Sequence, residues 1–196
     1  SLCGIASRRA ADTLIESGKV MVNGNIIRDL GHQVDENKDQ VMVDGKPARL
    51  PRKTTTIMFH KPAGCVCTKD DPQGRETVYD FLPPAYHTLK YVGRLDLQSR
   101  GLLLFTDDGE LLHRLTHPSF EIPRSYYVWT NRPLSEHACQ RLVDGVDIRD
   151  EGSDMEEIAF ATDIYLENGF AELVLIEGKN REIRRMMRAV GSEIED

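Results

Sequence analysis

An arginine and an aspartate stand two residues apart in Gly93-Arg94-Leu95-Asp96, just ahead of the apolar run Gly101-Leu102-Leu103-Leu104-Phe105-Thr106. That spacing puts one carboxylate, with a cation beside it, at the mouth of a strand that ends in Asp107-Asp108-Gly109. A lone positioned carboxylate suits nucleophilic attack or proton abstraction. It does not suit ordinary glycoside hydrolysis, which uses two flanking carboxylates, because Asp107 and Asp108 read as turn residues. No metal is expected. Cys65 and Cys67 form a single C-x-C without a second pair at zinc spacing, and the six histidines are scattered. All four cysteines are expected to be reduced thiols of a cytoplasmic protein.

A second chemical feature lies near the end of the chain. Residues 177–188 carry Lys179, Arg181, Arg184, Arg185 and Arg188 against Glu177 and Glu182, a local charge of +3 in a chain whose net charge is −7. Ile183, Met186, Met187 and Val190 recur at i, i+3, i+4, i+7, and the arginines follow the same spacing on the opposite face of one helix. Four like charges on one stripe repel each other, so an anionic partner is expected there. The polarity of the molecule, rather than its acidic sum, is what bears on nucleic-acid binding. Asp144, Asp147, Asp150, Glu151, Asp154, Glu156 and Glu157 read as a solvated acidic loop and its flanks.

The elements that must hold these groups can be read coarsely. The chain has 196 residues, 40% hydrophobic and 29% charged, with no apolar run long enough to span a membrane. Ala10, Ala11, Leu14 and Ile15 predict a helix ended by Gly18. Val20-Met21-Val22, Asn23-Gly24 and Asn25-Ile26-Ile27 predict a hairpin, and Gln40 to Val43 a further strand. So small a unit, residues 1–48, needs more helix before Ser1, and the chain is expected to begin inside an element. Lys46 to Lys53 is basic and punctuated by Pro47 and Pro51, which puts a linker at residues 49–55. Beyond it, strands are expected at Thr56–His60, Cys65–Thr68, Tyr126–Trp129, Ile158–Leu166 and Phe170–Ile176, the last two joined by Asn168-Gly169. Helices are expected at Glu110–Thr116 and from a Ser135 cap to about Val143. The fold class is α+β, with a mixed, largely antiparallel sheet flanked by helices.

Residues 93–106 resemble the catalytic motif of bacterial ribosomal-RNA pseudouridine synthases of the RsuA/RluB type. Arg8-Arg9 with Gly18-Lys19-Val20-Met21-Val22-Asn23-Gly24 resembles the small RNA-binding module first seen in ribosomal protein S-four. Lys61-Pro62-Ala63-Gly64, Arg124-Ser125-Tyr126 and Glu177-Gly178-Lys179-Asn180-Arg181-Glu182-Ile183-Arg184-Arg185-Met186 are similar to the family's other segments, in the same order. Arg124 stands where the family usually has lysine. Family members typically continue past the position of Asp196, so residues 1–48 are expected to be an N-terminally incomplete RNA-binding module and residues 56–196 a C-terminally incomplete catalytic domain.

The resemblance implies a cofactor-free isomerase that converts uridine to pseudouridine in ribosomal RNA, acting as a monomer. Asp96 would be the catalytic carboxylate, as nucleophile or as base, and Arg184 its ion-pair partner. Tyr126 would pack on the target base and help remove the proton from its carbon 5, and Arg94 would fill the space left by the flipped nucleotide. Arg8, Arg9, Lys19 and Asn23, and near the cleft Lys61, Lys179, Arg181 and Arg185, would hold RNA. The Cys67–Arg75 segment leans toward 23S rRNA. The alternatives are a 16S rRNA target and a non-catalytic RNA-binding or ribosome-assembly protein.

Overall fold

The computed structural model describes residues 3, 5–49, 53–150, 152–167 and 169–196. Ser1, Leu2 and Gly4 of the opening, Leu50, Pro51 and Arg52 of the expected linker, Glu151 and the turn residue Asn168 lie outside them. The chain divides into two compact units, residues 1–55 with 107–109, and residues 56–106 with 110–196.

In the first unit, α1 (Arg8–Glu16) starts where the Ser7 hydroxyl accepts a hydrogen bond from the Ala10 amide, and it stops at Ser17. Strands β1 (Val20–Val22), β2 (Asn25–Ile27), β3 (Val41–Val43) and β4 (Lys46–Pro47) form an antiparallel sheet in the order β2-β1-β3-β4. Asn23 and Gly24 both take positive φ, 51° and 84°, the geometry a two-residue hairpin with the twist of its strands requires. β4 corrects the sequence reading, which ran Lys46 and Pro47 into a linker. Pro47 pairs with Met42 on the edge of the sheet, where its missing N–H costs nothing.

In the second unit, β5 (Thr56–Lys61), β6 (Lys90–Val92) and β7 (Gly101–Thr106) pair in the order β5-β7-β6. Then come α2 (Gly109–Thr116), β8 (Arg124–Val128), α3 (Glu136–Asp144), the short pair β9 (Val146–Asp147) and β10 (Ile158–Ala159), β11 (Asp163–Glu167), β12 (Phe170–Leu175) and α4 (Glu182–Ala189). β11, β12 and β8 form a second three-stranded antiparallel sheet. Among the described residues the one parallel contact is an isolated bridge between Val66 and Thr77.

Two expected strands are corrected. Cys65–Thr68 contributes only that bridge, because the Thr68 hydroxyl bonds the Asp70 carbonyl and turns the chain away. Ile158–Leu166 is not one strand but two. Between them the backbone leaves β9, donates from Ala161 to the Leu142 carbonyl, and then joins β12. Ala159 and Ala161 are small enough to pass buried against the core at that crossing.

Two cores result. Val128, Leu142, Leu173, Leu175, Met186 and Met187 pack β8 and β12 against α3 and α4. Cys65, Val78, Tyr79, Leu89, Leu103 and Phe105 pack beneath β5 and β7, with Tyr79 and Phe105 edge to face at 5.5 Å between ring centroids. No described helix is long and apolar enough to cross a membrane.

Candidate active site

Asp96 lies in the loop between β6 and β7, and that loop is fastened by its backbone. Lys61, the last residue of β5, falls on the core side of that strand's alternation and is completely buried. Its Nζ donates to the carbonyls of Pro62 (2.9 Å), Leu97 (3.4 Å) and Ser99 (2.8 Å). The Gly64 amide donates to the same Leu97 carbonyl at 2.7 Å, and the Ser99 amide closes a turn onto the Asp96 carbonyl at 3.1 Å. On the other side of Asp96, the Cys67 thiol accepts from the Leu95 amide at 3.5 Å and donates to the Leu95 carbonyl at 3.4 Å. The expectation that Lys61 holds RNA is therefore corrected: a fully buried Nζ clamping the aspartate loop cannot reach a phosphate.

Arg184 on α4 places its Nε 3.9 Å from Asp96 Oδ2, an ion pair without a direct hydrogen bond. The two side chains are 21% and 32% exposed, so the pair sits in a partly open cleft. Tyr126 on β8 packs against the core beneath α3 and α4. Burial pushes its phenol above the ordinary tyrosine value; Arg124 pulls it down, and Glu182 and Asp96 push it up. Tyr127 points the other way and is 56% exposed, edge to face with Phe170. Arg94 is exposed and makes no ion pair among the described residues.

The arginine stripe of α4 is divided by the tertiary structure. Arg181, in a left-handed conformation ahead of the helix, and Arg188 are exposed. Arg185 is not available to RNA, which corrects its expected role. Its side chain is 13% exposed, both terminal nitrogens bond Glu157, at 2.6 and 3.1 Å, and it also donates to the Ile148 and Asn180 carbonyls. The fork of that guanidinium holds the Glu157 carboxyl below its ordinary range. Lys179 is partly engaged within the protein, its Nζ 2.5 Å from Glu177 and 2.7 Å from the Ile158 carbonyl. In the first unit, Asn23 is taken up by the segment leading into β3, donating to Asp39 at 2.7 Å and accepting from the Gln40 amide at 2.9 Å. Lys19 faces Asp44 at 3.7 Å, while Arg8 and Arg9 are exposed on α1.

A family model described as RNA pseudouridylate synthase matches residues 55–189, and an S4 domain model matches residues 3–40. The chain belongs to the RNA pseudouridylate synthase family. It is 40% identical over 194 residues to ribosomal large subunit pseudouridine synthase B of Pseudomonas aeruginosa, covering 96% of this chain and 50% of that protein. It is 35% identical to an uncharacterized RNA pseudouridine synthase of Mycobacterium bovis, covering all of this chain and 78% of that one. A crystal structure of a pseudouridylate synthase superposes with a TM-score of 0.66 at 27% identity, covering 96% of this chain and 80% of that chain. The chain spans half to three-fifths of the length of curated large-subunit relatives it matches, 50–60%.

Sequence reasoning missed two acids of this chain. Glu157 stands 28 residues from the arginine it neutralises, and no local pattern announces such a pair. Glu182 had a local signal. It lies three residues after Lys179, whose amide donates to its Oε2 at 2.9 Å, in the spacing of a helix-start carboxylate. Burial raises the Glu182 carboxyl, and so does the neighbouring Glu177; Oε1 of each acid is buried without a hydrogen-bond partner. His113 on α2 and His117 just past its end, four apart, were also passed over. Their rings meet edge to face at 4.8 Å, and no described group of three metal-ligating side chains includes them.

Proposed function

We propose that this chain isomerises uridine to pseudouridine in ribosomal RNA, and that the RNA is the 23S rRNA of the large subunit. The observation that carries the reading is the Asp96–Arg184 pair at 3.9 Å with Tyr126 packed in the same unit, on a chain of the pseudouridylate synthase family. The name of the Pseudomonas relative supports the large-subunit target. Residues 1–48 would act as an RNA-binding module and residues 56–196 as the catalytic domain, working in the cytoplasm.

The reaction breaks the bond from ribose carbon 1′ to uracil nitrogen 1, turns the base, and joins carbon 1′ to carbon 5. One proton leaves carbon 5 and one arrives at nitrogen 1, so atoms and charge balance without a cofactor. Asp96 would open the sequence, either by attack or by taking a sugar proton, with Arg184 balancing its charge. Tyr126 would lie against the uracil, and its apolar face and phenol suit both packing and proton handling. Flipping the nucleotide costs a few kcal/mol, which Arg94 would offset by entering the vacated stack. Arg8, Arg9 and Arg181, exposed and without carboxylate partners among the described residues, would hold the RNA backbone.

The test is tritium release from deproteinised rRNA labelled at uridine carbon 5, with pseudouridine mapping to place the product. The wild-type chain should release tritium, and Asp96→Asn should release none while binding RNA nearly as well. Binding without release by the wild type would establish the non-catalytic alternative instead.

A further inference from the structure

The sheet β11-β12-β8 has two faces, and the described residues cover one of them. Val128, Ala171, Leu173 and Leu175 turn inward, to the core they share with α3 and α4. Alternate residues turn outward, and the register sets them in rows across the strands. Tyr165, Glu172 and Tyr127 make one row; Glu167 and Phe170, with Trp129 beyond them, make the next. Asp163 stands on the same face, two residues before Tyr165. The rings form a cluster, for Phe170 meets Tyr127 edge to face at 5.3 Å and Trp129 at 5.2 Å. The cluster is open to solvent, with Tyr127 56%, Tyr165 54% and Trp129 37% exposed. Asp163, Glu167 and Glu172 make no ion pair among the described residues, and no position paired in register on this face is cationic.

We propose that this face docks an extended, arginine- and lysine-rich segment of a partner protein. Aromatic rings gathered on one exposed face mark an interaction surface, whereas single exposed apolar residues do not. Ring faces attract cations, guanidinium above all, and the three carboxylates beside them supply the counter-charge. That charge selects the occupant. Single-stranded RNA stacks its bases on such rings, but its phosphates would meet three carboxylates and no cation. Two copies of the face would set carboxylates against carboxylates. A cationic segment meets neither objection. An extended chain sends alternate side chains to one side, roughly 7 Å apart, which is the step from Asp163 to Tyr165 and from Tyr165 to Glu167. Successive cations therefore fall in turn on carboxylate and ring. α4, which carries Arg184 to Asp96, packs on the covered side of the sheet, so docking leaves that pair unobstructed. The proposal does not depend on the reaction the chain performs.

Trp129 is the only tryptophan of the chain, so its emission reports on this face. The probe is a short peptide of alternating arginine and glycine, titrated into the chain at physiological ionic strength. Tryptophan emission should change saturably. Tyr127→Ser with Tyr165→Ser keeps the charge and the reporter, and should weaken the peptide about tenfold or more. Glu167→Gln with Glu172→Gln should weaken it to a similar degree. Asp12→Asn with Glu16→Gln removes the same charge from α1 and should change the affinity less than about twofold. Melting curves show which variants are folded, and the aromatic and acidic pairs test the face separately, so the misfolding of one leaves the other to decide. No saturable change in the wild type overturns the proposal. Unchanged affinity after the aromatic substitutions also overturns it, by reducing the binding to diffuse attraction toward an acidic chain. A saturable change produced by oligouridine in place of the peptide would assign the face to RNA instead. A change with chain concentration alone would assign it to a second copy.

Discussion

Lys61 is the residue whose role changed most between sequence and structure. A lysine beside a proline-glycine turn, in a chain that resembles RNA-modifying proteins, reads as a phosphate contact. Its burial makes it a fastener of the Asp96 loop instead. Lys61→Met would strand the carbonyls of Pro62, Leu97 and Ser99 without a donor. We expect it to lower unfolding free energy by ~3 kcal/mol or more in urea titration, and to abolish turnover. The salt dependence of RNA binding by the variant that remains folded should keep its slope, since no phosphate contact is lost. A shallower slope would return Lys61 to the RNA surface. Asp96, Arg184 and Tyr126 were legible as residues because their spacing and types match a family's motifs. The 3.9 Å approach of two of them, 88 positions apart in the chain, was not legible in any local pattern.

At the scale of elements, α4 shows how one amphipathic stripe is put to several uses. Sequence periodicity predicted its buried face correctly, with Met186 and Met187 fully buried. The opposite face was predicted as one anionic-partner surface, yet Arg184 faces Asp96, Arg185 faces Glu157, and only Arg181 and Arg188 stay exposed. Neutralising Arg181 and Arg188 together should therefore reduce the salt slope of RNA affinity by roughly 0.7 to 0.9 per phosphate contact, whereas Arg185→Gln should leave the slope unchanged and lower the melting temperature. The start of α4 carries a pH prediction. The Glu182 carboxyl is raised in the folded state by burial and by Glu177, so its contribution to stability is present below the unfolded carboxyl value and fades as pH rises through the folded one. Glu182→Gln mimics the protonated form, and melting temperature against pH should be flatter for it above the ordinary glutamate range. The loop before β6 has the opposite sign. Arg75 holds Asp71 down to about 2, so that contribution is present above the ordinary aspartate range and is lost as pH falls toward 2. Arg75→Gln should remove that acid-side loss from the melting curve.

At the scale of the whole molecule, the two units are unequally consolidated. α1 buries none of its residues, and Val22 is the one buried core residue among those described in residues 1–55, while two clusters fill the second unit. Local opening follows buried contact, so amides of α1 should exchange with deuterium far faster than those of β7 and β12 under native conditions. Equal protection would contradict the reading of α1 as weakly anchored. By itself the sequence determined the α+β class, the helix faces, the Asn23-Gly24 hairpin, the Ser135 cap and the motif carrying Asp96, because each depends on residues close together in the chain. The tertiary structure alone decided which charges are free. Lys61, Lys179, Arg185 and Asn23 look like RNA contacts one at a time, and each is claimed, wholly or in part, by partners that folding delivers. For Arg185 the partner is 28 residues away, and for Lys61 the carbonyls of Leu97 and Ser99 are 36 and 38 away. A side chain's charge is written in its sequence, but its availability is set by the desolvation and pairing it meets in the folded chain.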